Sequence, residues 1–135
     1  MSSTRLTLRV DFGANRSIGP GKVRLLEAVG HTGSISKAGR ELGMSYRRAW
    51  LLINDLNACF RHAVVAARPG GSQGGGARLT KFGEKLIGDY RAIERKALAT
   101  AKVRLRGLEG SLRSAGVVSG RPRKMSTRAP SRRAS

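Results

Sequence analysis

Hydrophobic positions along the chain change period several times, and each change predicts an element. Leu6, Leu8, Val10 and Phe12 alternate with Thr7, Arg9 and Asp11, a period of two that predicts a half-buried strand. Gly13 to Gly21 holds three glycines, an asparagine and a proline and reads as a loop leading into a helix. Pro20 suits a first helical position, where a missing N–H costs nothing. Val23, Leu26 and Val29, with Leu25 beside them, form the stripe of helix 1, which Gly30 is expected to close. Gly33 to Phe60, GSISKAGRELGMSYRRAWLLINDLNACF, predicts two short helices with a tight turn between them. Ser34 caps helix 2, whose apolar face is Ala38, Leu42 and Ile35, and Gly43 supplies the positive φ that ends it. Ser45 caps helix 3, where Ala49, Ile53 and Leu56 recur at steps of four and three. At about 100° per residue, Arg47, Leu51 and Asn54 point away from that stripe, with Tyr46 and Trp50 on one flank and Arg48 and Leu52 on the other.

Helix 3 closes over Asn57 to Arg61. Val64 to Ala67 and Ala77 to Leu79 then read as two antiparallel strands joined by a glycine-rich tip, with five glycines in the seven residues from Gly70 to Gly76. Thr80 can cap a long final helix, and Glu84 lies in its first turn. Phe82, Leu86, Tyr90, Ile93, Ala97 and Thr100 follow steps of four and three, and neither glycine nor proline interrupts Asp89 to Arg106. This is more apolar helix than one small domain can cover, which points to a partner helix from a second chain. From Gly107 onward the composition turns to Gly, Ser, Arg and Pro, the signature of a disordered segment. The expected organisation is a domain over 1–106 and a disordered basic tail over 107–135, in the α+β class but mainly α.

Charge changes the picture from fold to partner. The 135 residues carry 27 Lys and Arg against 8 Asp and Glu, a formal net charge of +19. Ten basic residues and one acidic residue fall within 100–135. Such a balance calls for a polyanion: DNA, RNA or an anionic membrane surface. No apolar run approaches the ~20 residues needed to span a bilayer. No signal peptide is evident, and the lone Cys59 excludes an internal disulfide, so the expected setting is the cytoplasm, associated with the nucleoid. Six scattered aromatic residues offer no stacking platform for RNA. A helix with an anchored back and a basic, polar front suits a DNA major groove.

The segment GSISKAGRELGMSYRRAW followed by INDLN resembles the helix-turn-helix of the ModE family of molybdate-responsive bacterial transcription regulators, and more distantly the LysR-type N-terminal domain. PGGSQGGGARLTKFGEKLIGDY resembles that family's glycine-rich wing and following helix, so the likeness covers roughly Leu6 to Ile93. It implies a winged helix-turn-helix, a homodimer and a palindromic operator in double-stranded DNA. Complete members of the family also carry C-terminal molybdate-binding domains, for which this sequence has no room. Three arrangements then stay open: constitutive repression, molybdate sensing through a separate protein, or service to unrelated genes.

On this reading DNA contact is assigned to Ser45, Tyr46, Arg47, Arg48 and Asn54 on helix 3. Arg47 can bond bidentately to a guanine edge. Arg48 stands where the family leads one to expect a small polar residue. Trp50 is expected to pack against a neighbouring element. Ser34, Ser36 and Lys37 begin helix 2 where the DNA backbone would cross it. Arg68, Ser72, Gln73, Arg78 and Lys81 surround the wing glycines and suit phosphate or minor-groove contacts. Dimerisation is assigned to Leu86, Tyr90, Ile93 and Ala97, with the N-terminal strand and helix 1 contributing. A contrasting reading is a DNA-compacting protein that binds without sequence preference, chiefly through its charge and tail. Chemistry is poorly supported. His31 and His62 stand in different elements with no acidic partner nearby in sequence, Cys59 suits a half-buried apolar position, and no metal-ligand spacing occurs. The glycine run lacks the Lys-Ser/Thr of a P-loop. No enzyme activity, cofactor or metal is expected.

Overall fold

The N-terminal alternation forms less strand than its length suggests. In the computed structural model, which describes residues 3–71 and 74–114, only Val10–Asp11 (β1) enters a ladder. It pairs antiparallel with Ser17–Ile18 (β2) in the register Val10↔Ile18. The ladder stops because its partner turns away at once: Pro20 begins helix α1 two residues after β2 ends. The tight reversal is closed by Phe12 N–H donating to Arg16 O at 2.7 Å and Arg16 N–H to Gly13 O at 2.9 Å.

Helix α1 (Pro20–Thr32) starts on its proline as expected and runs two residues past Gly30. Gly30 does not end it. A Cβ there would stand 2.8 Å from Leu79 Cδ1, so this glycine makes room for a side chain of the hairpin. The cap is Gly33, whose N–H donates to Val29 O. Helices α2 (Ile35–Glu41) and α3 (Tyr46–Cys59) follow. The Ser34 hydroxyl accepts from Lys37 N–H and the Ser45 hydroxyl from Arg48 N–H, each at 3.1 Å. Gly43 holds φ at 72°, the left-handed conformation a tight helix-to-helix turn requires and a Cβ disfavours. Ala49, Ile53 and Leu56 are buried, in one core with Ala38 of α2, Leu25, Leu26 and Val29 of α1, and Val64.

Strands β3 (Val65–Gly71) and β4 (Gly74–Leu79) form an antiparallel hairpin with Val65↔Leu79 and Ala67↔Ala77 in register. Asn57 anchors its root from α3. Its side-chain oxygen accepts from Val64 N–H at 2.7 Å and Val65 N–H at 3.3 Å, and its Nδ2 donates to Val65 O. Helix α4 (Lys81–Gly110) opens at Thr80, whose hydroxyl accepts from Gly83 N–H at 2.9 Å and donates to Ala63 O at 2.6 Å. A Cβ on Gly83 would collide with the carbonyl of Val64, so α4 approaches β3 closely only because this position is glycine.

The chain divides into two units, Met1–Thr100 and Ala101–Ser135. In the first, Tyr90 is 2% exposed and its hydroxyl donates to Leu8 O at 2.6 Å, tying α4 to the N-terminal segment. Burial pushes its phenol upward in pKa, and the neighbouring Glu94 adds to this. Arg91 grips Glu27 of α1 through Nε and Nη2 at 2.9 and 2.8 Å, and Glu94 through Nη1 at 2.7 Å. Those bonds to Glu27 and then Glu94 raise the Arg91 pKa further. Phe12 meets Phe60 edge to face and Phe60 meets Phe82 at a tilt, with centroids 5.9 and 5.3 Å apart, and the three join the β1–β2 turn, the end of α3 and the start of α4. In the second unit the helix continues through Gly107 to Gly110, four residues further than its composition suggests. A single interior glycine costs a helix only about 1 kcal/mol relative to alanine. Val103, Leu108 and Leu112 are exposed there. The mainly-α, α+β class is as expected. The tail beyond 114 lies outside the described residues.

Candidate nucleic-acid interface

Two capped helix starts and one hairpin place the expected contact residues. On α3, the buried stripe of Ala49, Ile53 and Leu56 fixes the rotation of the helix, and the opposite face is solvent-exposed. Tyr46, Arg47, Arg48 and Asn54 all lie on exposed positions, with Tyr46 at 56%. Among the described residues none of these four side chains is engaged in a hydrogen bond or ion pair. The face is therefore a set of free donors around a helix N-terminus, whose dipole favours anions. Ser45 differs, because its hydroxyl is spent on the cap.

Helix α2 presents a smaller set. Ser34 is likewise spent as a cap, Ser36 Oγ accepts from Arg40 Nη2 at 3.3 Å, and Lys37 is exposed. The end of α2 is tied to the end of α1 by His31 Nε2 and Glu41 Oε1 at 2.8 Å, both well exposed. This pairing joins two helices, and nothing in the sequence spacing signals it.

The hairpin separates its candidates. Ladder partners share a face and successive residues alternate. The pairs Ala66↔Arg78 and Arg68↔Gly76 therefore put both arginines on one face. Arg68 Nη2 donates to Gly33 O at 3.3 Å, an oxygen that also accepts from Ala77 N–H. Both arginines line a cavity of about 510 Å³ with Glu27, His31 and Glu84. The two arginines thus face the ends of α1 and α4, with carboxylates beside them. Lys81 is exposed in the first turn of α4. Ser72 and Gln73 lie outside the described residues.

Of the residues assigned to dimerisation, Tyr90 is corrected. A side chain 2% exposed in a single chain, with its hydroxyl engaged by Leu8, is core and has no surface to offer a second subunit. Leu86 and Ala97 are half-buried and Ile93 is 49% exposed. Leu98, outside the assigned set, adds a further exposed apolar side chain. Trp50 also departs from expectation: it is 45% exposed, not packed away.

Among the described residues, no group of three or more His, Cys, Asp or Glu side chains is placed to hold a metal, and no helix is long and apolar enough to cross a membrane.

No family model matches the chain. Individual relatives do. The chain is 53% identical over 77 residues to the molybdenum-pterin-binding protein MopB of Rhodobacter capsulatus, which is 57% of this chain and 28% of that protein. It is 43% identical over 86 residues to the transcriptional regulator ModE of Yersinia pestis, covering 62% and 33% respectively. It is 41% identical over 71 residues to the DNA-binding transcriptional dual regulator ModE of Escherichia coli K12, covering 53% and 27%. The chain spans about a third or less of the length of these curated relatives. The resemblance to ModE-type proteins is borne out over that stretch.

Proposed function

We propose that the chain is a sequence-specific, double-stranded DNA-binding transcriptional regulator of the ModE type, without catalytic activity. It acts as a homodimer through a winged helix-turn-helix made of α2, α3 and the β3–β4 hairpin. One observation supports this reading above the others. The apolar back of α3 is fully used by its own chain, while Tyr46, Arg47, Arg48 and Asn54 stand exposed and unpaired on its front. The regulators among the relatives, one of them named as DNA-binding, point the same way.

Arg47 is the base reader and Tyr46 its neighbour at a phosphate or thymine methyl. Arg48 and Lys37 supply phosphate contacts. Arg68 and Arg78 have a smaller role here than their position in the wing first suggests, since they share a face with Glu27 and Glu84 around one cavity. Ile93, with Leu86 and Ala97, forms the subunit contact. Operators near genes for molybdate uptake or molybdoenzymes are part of the proposal, on the strength of the resemblance to ModE-type regulators.

A second reading, DNA compaction without sequence preference, draws on the net charge of +19. Arg47→Ala separates the two. A regulator loses about 1–3 kcal/mol on its cognate site and relaxes its preference at one base position. A compacting protein loses little with Arg47→Ala, but weakens uniformly when residues 115–135 are removed.

A further inference from the structure

Trp50 lies on the rim of an open cleft of about 230 Å³ between α3, the start of α2 and the hairpin. Ile35, Asn54, Ala66, Ala67 and Gly76 line it with Trp50. No lysine or arginine side chain lines it. Ala66 and Ala67 form its floor, and their short side chains leave room for a foreign backbone; at Gly76 the space a side chain would take is held by Gly33 O and the Arg68 guanidinium. Asn57 also borders the cleft, but its amide is consumed by Val64 and Val65. Its other polar side chains are the Trp50 indole and Asn54, neither of which has a hydrogen-bond partner among the described residues. No carboxylate lines it, and α2 and α3 beside it carry Lys37, Arg40, Arg47 and Arg48 against Glu41 and Asp55. The occupant that fits is an anionic strand with a thin, partly apolar backbone that accepts hydrogen bonds from an indole and an amide.

We propose that this cleft seats one sugar–phosphate strand of duplex DNA. Deoxyribose lies over Ala66 and Ala67, and the Trp50 Nε1–H and Asn54 Nδ2–H donate to phosphate oxygens. The proposal rests on the DNA-binding reading above. It adds the place where the backbone crosses between α3 and the hairpin, and it makes Trp50 a DNA contact.

Trp50 is the only tryptophan in the chain, so its emission reports this one position. The full chain is titrated with a short mixed-sequence duplex, and binding is followed independently by anisotropy of a label on the DNA. Saturation more than halves the quenching of Trp50 by acrylamide. Trp50→Phe, which keeps a ring and drops the N–H, weakens duplex binding about tenfold. Ala67→Glu puts a carboxylate on the floor and weakens binding about tenfold more than Ala99→Glu, which adds the same charge at an exposed position of α4. If duplex binds while Trp50 stays as open to acrylamide as in the free chain, the cleft is not the seat and the regulator reading stands. Equal weakening by Ala67→Glu and Ala99→Glu says the same. Failure of the unaltered chain to bind any duplex overturns both. Should circular dichroism show that Ala67→Glu does not fold, the quenching result decides alone.

Discussion

Helices α3 and α4 are both amphipathic, and they end up in opposite situations. The apolar stripe of α3 is buried by α1, α2 and the root of the hairpin, and what remains outside is Tyr46, Arg47, Arg48, Trp50, Leu51, Asn54, Asp55 and Ala58. The first turns of α4 are satisfied in the same way, by Gly83 against Val64 and by Tyr90 against Leu8. Beyond them Ile93 and Leu98 stand 49% and 43% exposed. A helix with a satisfied back and free donors in front is ready for a polyanion. One with unsatisfied apolar side chains calls for protein. The contrast divides the labour of the proposed regulator: α3 meets DNA, and α4 meets the second subunit.

The contrast is broken most severely at the back of α3. Leu56 is fully buried, and Leu56→Ala is expected to cost about 2–5 kcal/mol of stability. It should lower the thermal midpoint by calorimetry and abolish duplex binding together, because α3 loses its anchor. On α4, replacing both Ile93 and Leu98 by Asp should leave the thermal midpoint of the monomer nearly unchanged, since both are exposed. It should shift sedimentation velocity from dimer to monomer at micromolar concentration. Arg47→Ala is intermediate: its stability change is within about 0.5 kcal/mol, as for a free surface side chain, and its cost of about 1–3 kcal/mol appears only on cognate duplex.

Tyr90 gives a smaller, pH-dependent effect that sharpens the division within α4. Its folded pKa is raised by burial. The phenol therefore ionises more readily in the unfolded chain, and stability is full below the unfolded value of about 10 and falls as pH rises above it. Thermal midpoints measured between neutral pH and about pH 11 should show this loss in the unaltered chain and less of it in Tyr90→Phe. That variant should itself cost about 1 kcal/mol at neutral pH, from the lost bond to Leu8.

What was legible in the sequence follows the range over which the information acts. Ser34, Gly43 and Ser45 cap, turn and cap within a few residues of one another, and Ala49, Ile53 and Leu56 declare their common face by spacing alone. The caps, the turn and the buried stripe of the α2–α3 segment were therefore readable, and so was the outward direction of Arg47 and Asn54. The strand pair around the glycine run was readable for the same reason. Features set by tertiary contact were not. Gly30 reads as a helix stop until Leu79 is found packed over it. Tyr90 fits the apolar repeat of α4 equally well as core or as interface, and only the carbonyl of Leu8, 82 residues away, decides. His31 finds Glu41 across a helix pair. Trp50 looks like packing on a helical wheel, yet the small residues of β3 and β4 opposite leave it a cleft. The placement of Arg68 and Arg78 on one hairpin face needs the ladder register, which composition does not contain.

In the proposed regulator α3 reads sequence. The direct test is selection of bound fragments from random duplex DNA at ~200 mM salt, where counterion-release affinity is largely suppressed, carried out in parallel with the unaltered chain and with Arg47→Ala. The unaltered chain is expected to select a palindrome with half-sites about one helical turn apart, and Arg47→Ala to lose preference at one position per half-site. Recovery of no motif above background from the unaltered chain, with binding still strong at low salt, would contradict this and leave a basic protein that holds DNA without reading it.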